Sequence, residues 1–347
     1  MSKPSVMNHS SYRNLRHSNN AAVFSVLVAL TVGLVAMSYP AGAARSTTGN
    51  QHQSTSGLSR KSSTALNALP KPPAVQPFQT SPVGGEGQWR AVGRHVDGTT
   101  AIYTTVVRLP DDPTVLAGIA WLDTKILRAR LYSGSLSPGG FNWKLTAPIS
   151  NAASRTLVAA FNGGYQLKDS RGGYLSEGRL AAPLRVGAAS LVIYKSGFAT
   201  VGLWGRDVRM TSEVVAVRQN LNLLVENGHP VPGLSPRDIS AWGVALHQVA
   251  NTWRSGLGVT ANGALVYVAG PMTIVDLANL LVRAGAVRAM VLDMNPEWPV
   301  FATYSPARLN APASASNGTD LLSSMTQTPA RFFQNSYARD FITMSVP

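Results

Sequence analysis

Beyond residue 86 the chain is a succession of short apolar runs broken by Gly, Asn and Pro, a texture of strands rather than long helices. The pattern predicts strands over Ala101–Leu109, Val115–Trp121, Leu127–Ser133, Thr156–Phe161, Ala189–Tyr194 and Phe198–Trp204, the last two joined by a turn at Lys195-Ser196-Gly197. Asn262-Gly263 predicts a hairpin between Leu257–Thr260 and Ala264–Val268, because both residues tolerate positive φ. One helical stretch follows. Thr273 and Asp276 stand in capping-box spacing, Leu277, Leu280, Leu281 and Ala284 fall on one face, and Gly285 supplies a left-handed stop. Val287–Leu292 then reads as a largely apolar strand at the centre of a covered sheet. Ser305–Thr319 has no period and reads as loop, with one short closing element expected between Leu321 and Ser345.

This order predicts an α+β fold. It is a mixed, mostly antiparallel sheet with one strand-helix-strand crossover, partly covered by the helix at 274–284, in a single exported domain over residues 86–347.

The first 85 residues have a different pattern. Ala21 to Tyr39 is a 19-residue run without charge, preceded by Lys3, Arg13 and Arg16 and followed by Ala41-Gly42-Ala43. Basic, apolar and small-residue regions in that order describe an export signal, and the run is also near the length of a spanning helix. Residues 1–44 are therefore a cleaved signal or an N-terminal membrane anchor. In both cases the rest of the chain lies outside the cytoplasm. Residues 45–85, rich in Ser, Thr and Pro, lack either period and read as a disordered linker.

Charge sharpens this division. The first 85 residues hold seven of the 30 Lys and Arg and none of the 16 Asp and Glu, so half of the net charge of +14 lies outside the expected domain. The domain itself is only mildly basic, which argues against a nucleic-acid partner. With no cysteine, the chain has no disulfide, thiol nucleophile or Cys-ligated zinc. His229 and His247 have no second ligand at metal spacing, so neither metal nor cofactor is expected. No G-x-S-x-G element is present.

Candidate chemistry concentrates at strand ends. Asp293 stands at the tip of the apolar strand, where a carboxylate is held by the strand and presented by the loop. Pro296 prevents a helix across the following residues, making Asp293 and Glu297 loop neighbours that can serve as a carboxylate pair. The plainer readings are an Asx-turn for Asp293 and a solvated Glu297. Asn162-Gly163-Gly164 after the run Leu157–Ala160 is either a ligand-hugging turn or an ordinary strand end. Arg254, beside Ser255-Gly256-Leu257-Gly258, is either an anion fork with room around it or a surface ion pair. Arg185 is a weaker anion candidate, and Asn295 a neighbour of the presumed acid. Trp204, Trp242, Trp253 and Trp298 are expected in the core more than as sugar platforms.

The set Phe161–Tyr165, Arg254–Val268, Met272–Leu281 and Ala289–Asn295 resembles the phosphodiester glycosidase family. The resemblance implies cleavage of a sugar-1-phosphate diester on its glycosidic side. It carries over onto the Asn162–Tyr165 turn, Arg254 and Asp293; together with the residue patterns themselves, the expected catalytic pair is Asp293 and Glu297, and the expected substrate contacts are Asn162, Gly163, Gly164, Arg254, Asn295 and Arg185. The implied partner is a sugar phosphate or envelope glycan, with a non-catalytic, membrane-tethered glycan-binding protein as the alternative. The family continues its aspartate as Asp-Gly-Gly-Gly-Ser; this chain reads Asp293-Met294-Asn295-Pro296-Glu297-Trp298.

Overall fold

The computed structural model describes residues 67–140, 142–235, 239–243, 249–308 and 310–347. The apolar run at 21–39 and His247 lie outside them, and among the described residues no helix is long and apolar enough to cross a membrane. They belong to one compact unit, Ser62–Pro347. Its ordered part begins earlier than the pattern suggested. Val75 is fully buried, Leu69 is nearly so, and the Leu69 amide donates to Asp123 Oδ2 at 2.7 Å. The stretch 67–85, with its several prolines, therefore packs onto the domain rather than belonging to the linker.

Three antiparallel sheets make up the domain. The labels used here are β1 (Leu157–Asn162), β2 (Thr252–Thr260), β3 (Leu265–Met272), α1 (Ile274–Arg283), β4 (Ala286–Met294) and β5 (Phe341–Ser345). In the eight-stranded sheet the order is Arg90–Val92, Ile102–Arg108, Leu116–Leu122, β3, β2, β4, Leu223–Glu226 and His229–Pro230. A five-stranded sheet runs Gly318–Asp320, Phe301–Tyr304, β1, β5, Arg128–Tyr132. Another runs Arg179–Ala182, Tyr174–Ser176, Val214–Gln219, Ala189–Tyr194, Ala199–Leu203.

The helix forms as its sequence predicts. Thr273 Oγ1 accepts from the Asp276 amide at 3.1 Å and Asp276 Oδ2 accepts from the Thr273 amide at 3.2 Å, closing the capping box. Gly285 follows at φ +92°. Leu277, Leu280 and Leu281 are wholly buried against the eight-stranded sheet. Gly256 allows that approach: a Cβ there would meet Leu281 Cδ1 at 3.0 Å and Leu277 Cδ1 at 3.2 Å. The small residues after Arg254 thus make room for the helix.

Two expectations about the sheet change in detail. β3 and β4 are both antiparallel to β2 and therefore parallel to each other, but β2 lies between them. The crossover joins strands that are not neighbours, and among the described residues every adjacent pair of strands in the sheets is antiparallel. In the β2–β3 hairpin Gly263 takes positive φ (+91°) and Asn262 does not. The Gly263 amide donates to Thr260 O at 3.0 Å and the Thr260 amide to Ala264 O at 2.9 Å. This is a three-residue connection with glycine in the left-handed position.

Candidate functional site

The site forms where one end of each sheet meets the others. β2 brings Arg254 and Ser255, and β4 brings Asp293 and Met294, with Arg254 opposite Met294 in register. β1 ends at Asn162, opposite Phe341, the first residue of β5, so Asp340 lies directly beside the Asn162-Gly163 step. The strand Val214–Gln219 carries Arg218 in from the remaining sheet.

Asp293 is 2% exposed. Its Oδ1 accepts from the Met294 amide at 2.8 Å, and its Oδ2 lies 3.5 Å from Arg339 Nη1, an ion pair without hydrogen-bond geometry. Burial raises its pKa from the ordinary 3.8 to about 7, against the lowering effect of Arg339 and the Met294 amide. The group can thus exchange a proton near neutrality. Arg339, also buried, has its guanidinium over the Trp298 ring at 4.2 Å. That contact gives Trp298 a place at the site, while Trp204 and Trp242 are buried.

Arg254 is buried at 4% exposure, not a surface ion-pair residue. Its Nε donates to Met272 O at 3.0 Å and its Nη2 to Ala250 O at 3.1 Å, while Nη1 reaches Met294 Sδ at 4.0 Å. No carboxylate pairs with it among the described residues. Burial lowers its pKa, in part opposed by the nearby Tyr165.

The Asn162-Gly163-Gly164 turn does something other than expected. Asn162 Nδ2 donates to Gly163 O and to Ser255 Oγ, both at 3.0 Å. Its Oδ1 accepts from the Tyr267 hydroxyl at 2.7 Å and the Val300 amide at 3.2 Å. All four hydrogen-bonding positions of the side chain are used inside the protein. The Gly163 amide donates to Asp340 O at 2.9 Å and the Gly164 amide to Asp340 Oδ2 at 3.4 Å. Neither amide faces a substrate. The glycines are small because a Cβ at Gly163 would lie 2.0 Å from Asp340 Oδ2, and one at Gly164 2.8 Å from Arg218 Cζ. They make room for a buried Arg218–Asp340 pair, Nε to Oδ2 at 2.8 Å and Nη2 to Oδ1 at 3.1 Å.

The remaining candidates are dispersed. Glu297 is exposed and accepts from Gln327 Nε2 at 3.4 Å, so the loop does not fold it in beside the buried Asp293. Arg185 is exposed, beside Arg171 in a pocket of about 190 Å³ that Leu221 and Ala241 also line, and no contact brings its side chain to Asp293 among the described residues. Asn295 takes φ +71°, a conformation asparagine tolerates better than most residues.

Sequence reasoning missed Arg218, Asn220, Ser255, Arg339 and Asp340. Asn220 accepts from the Tyr165 amide at 3.2 Å and donates to Val291 O and Leu292 O at 2.8 and 2.9 Å, tying the turn to β4. Ser255 Oγ bridges Asn162 to the backbone of Asp293. The available signal was positional: Arg218-Gln219-Asn220 and Arg339-Asp340 flank apolar strands as Asp293 does.

The model of the phosphodiester glycosidase family matches residues 155–293. No curated protein matches the sequence. Among solved structures, the chain is similar to the zebrafish N-acetylglucosamine-1-phosphodiester α-N-acetylglucosaminidase catalytic domain auto-inhibited by its pro-peptide. The identity is 16%, over 75% of this chain and 87% of that one, with a TM-score of 0.44. A hypothetical protein from Synechocystis is similar at 12% identity over 74% and 64% of the two chains, with a TM-score of 0.41. The matched stretch opens at Arg155, just before β1, and closes on Asp293 itself, and over it the chain resembles the phosphodiester glycosidase family in a divergent form.

Proposed function

We propose that the protein is an extracytoplasmic hydrolase of glycosyl phosphodiesters or related envelope glycopolymers, with Asp293 as its acid/base group. The observation that carries this reading is a buried carboxyl with a pKa of about 7, in a strand-end position that closes the family match. Cleavage at the sugar carbon releases a phosphomonoester, which leaves as an anion and needs little help from a proton donor. One carboxylate that takes a proton from water, with guanidinium charge on the phosphate, is then a sufficient set. Arg254, buried with no carboxylate partner among the described residues, is the candidate for that charge. Glu297 is not needed as a second carboxylate. The basic residues ahead of the 21–39 run support delivery outside the cytoplasm.

A non-catalytic glycan-binding protein is the second reading. It is favoured by Met294, a fully buried side chain standing where the family has the first glycine after its aspartate. Incubating the purified full chain with a panel of sugar-1-phosphodiesters separates the two. Hydrolysis predicts free sugar, reduced at least 100-fold in Asp293→Asn; saturable binding with no sugar from either protein supports the second reading instead.

A further inference from the structure

Among the described residues, the buried charges of the site do not balance. Arg218 and Asp340 neutralise each other in a closed two-point pair. Arg254, Arg339 and Asp293 remain, leaving one positive charge in excess when Asp293 is ionised and two when it is protonated. Buried charge without compensation is strongly unfavourable unless a ligand or solvent answers it. The unsatisfied atoms have the same polarity. Arg339 Nε and Nη1 and Trp242 Nε1 are buried donors without a hydrogen-bond acceptor among the described residues. The carbonyl of Trp242 accepts from the Tyr165 hydroxyl at 3.2 Å, and Tyr165 lies in the field of Arg254, Arg339 and Asp293 together. Arg339 is held by stacking on Trp298 and by a loose approach to Asp293, contacts that leave its donor edge without a matched acceptor.

We infer that Arg339 and Arg254 form an anion subsite, in which Arg339 exchanges Asp293 for an oxygen of the bound anion. A tetrahedral oxyanion offers acceptors in several directions and suits two guanidinium groups arriving from different elements, Arg254 from β2 and Arg339 from the loop before β5. Naming that anion as the phosphate of the substrate rests on the function proposed above. The assignment extends the site beyond the family-matched stretch, since Arg339 lies 46 residues after Asp293 and outside that match.

Titration calorimetry of the full chain with inorganic phosphate and with dimethyl phosphate, a minimal diester, tests this. Wild type binds, Arg339→Gln binds at least 10-fold more weakly, and Arg339→Lys lies between. Asp293→Asn binds several-fold more tightly because the competing carboxylate charge is gone. The double variant Asp293→Asn, Arg339→Gln keeps the single positive excess of the ionised wild type, so it adds no new uncompensated charge, and it should bind at least 10-fold more weakly than Asp293→Asn. Wild-type affinity in Arg339→Gln, a double variant that binds as tightly as Asp293→Asn, no tightening in Asp293→Asn, or no binding of either probe to any protein would overturn the subsite. Arg339-dependent binding without sugar release from any diester would refute the hydrolase and leave the subsite standing. Sugar release with Arg339-independent binding would do the reverse.

Discussion

At the scale of single residues, Asp293 couples chemistry to stability in opposite directions. Its folded pKa of about 7 lies above the ordinary 3.8, so between those values the native state keeps a proton that the unfolded chain gives up. Stability therefore falls as pH rises through that window, by on the order of 4 kcal/mol for a shift of this size at full effect. Urea melts of wild type and Asp293→Asn from pH 4 to 8 should diverge by a slope that the variant lacks; parallel curves would mean the carboxyl is not so perturbed. Gly163 carries a second residue-scale expectation. With a Cβ only 2.0 Å from Asp340 Oδ2, Gly163→Ala has to open the Arg218–Asp340 pair and should destabilise by at least about 2 kcal/mol, measured in the same melts.

At the scale of elements, the capping box of α1 and the glycine behind it are local, self-contained signals. Thr273→Ala should cost about 1 kcal/mol of stability, with little effect on anion binding, because Thr273 caps the helix and does not approach Asp293. The strands around this helix could be read from the sequence for a related reason: β4 and β2 are almost wholly buried, and their apolar runs announce it. Val214–Gln219 was not legible. It ends in Arg218 and Gln219, both buried and both indistinguishable in sequence from surface polar residues. Phe301–Tyr304 is only four residues long and follows a proline-containing loop, too short to show a period.

The same reason divided the site. Asp293 stood out because a charge at the end of an apolar strand is conspicuous, whereas Arg339-Asp340 looked like an ordinary hydrophilic turn before Phe341. Charges give no sign in sequence of whether they are paired in the interior. Without Arg218 and Asp340 in view, Asn162-Gly163-Gly164 stayed open between a ligand-hugging turn and an ordinary strand end; in the structure its glycines accommodate an ion pair.

At the scale of the whole molecule, that pair joins two of the sheets, and Asn220 beside it ties in the eight-stranded one. Arg218 comes from the sheet of Tyr174–Ser176 and Ala189–Tyr194, Asp340 precedes β5 in another, and Asn220 reaches β4 in the eight-stranded sheet. Removing one charge strands the other in the interior. Arg218→Met should therefore lower stability by about 3–5 kcal/mol, and Arg218→Met with Asp340→Leu by less than the two single losses combined. Additive losses in a double-mutant cycle would show that the sheets are joined by other contacts. The same junction places Asp293, Arg254 and Arg339 together, so its rigidity sets the geometry of the site.

The central claim is that Asp293 performs chemistry near neutral pH. The pH dependence of sugar release from a sugar-1-phosphodiester tests it most directly. If Asp293 acts as a base, the rate rises with pH through a midpoint close to 7 and is lost in Asp293→Asn. A rate independent of pH across that range, or one that survives in Asp293→Asn, would contradict it.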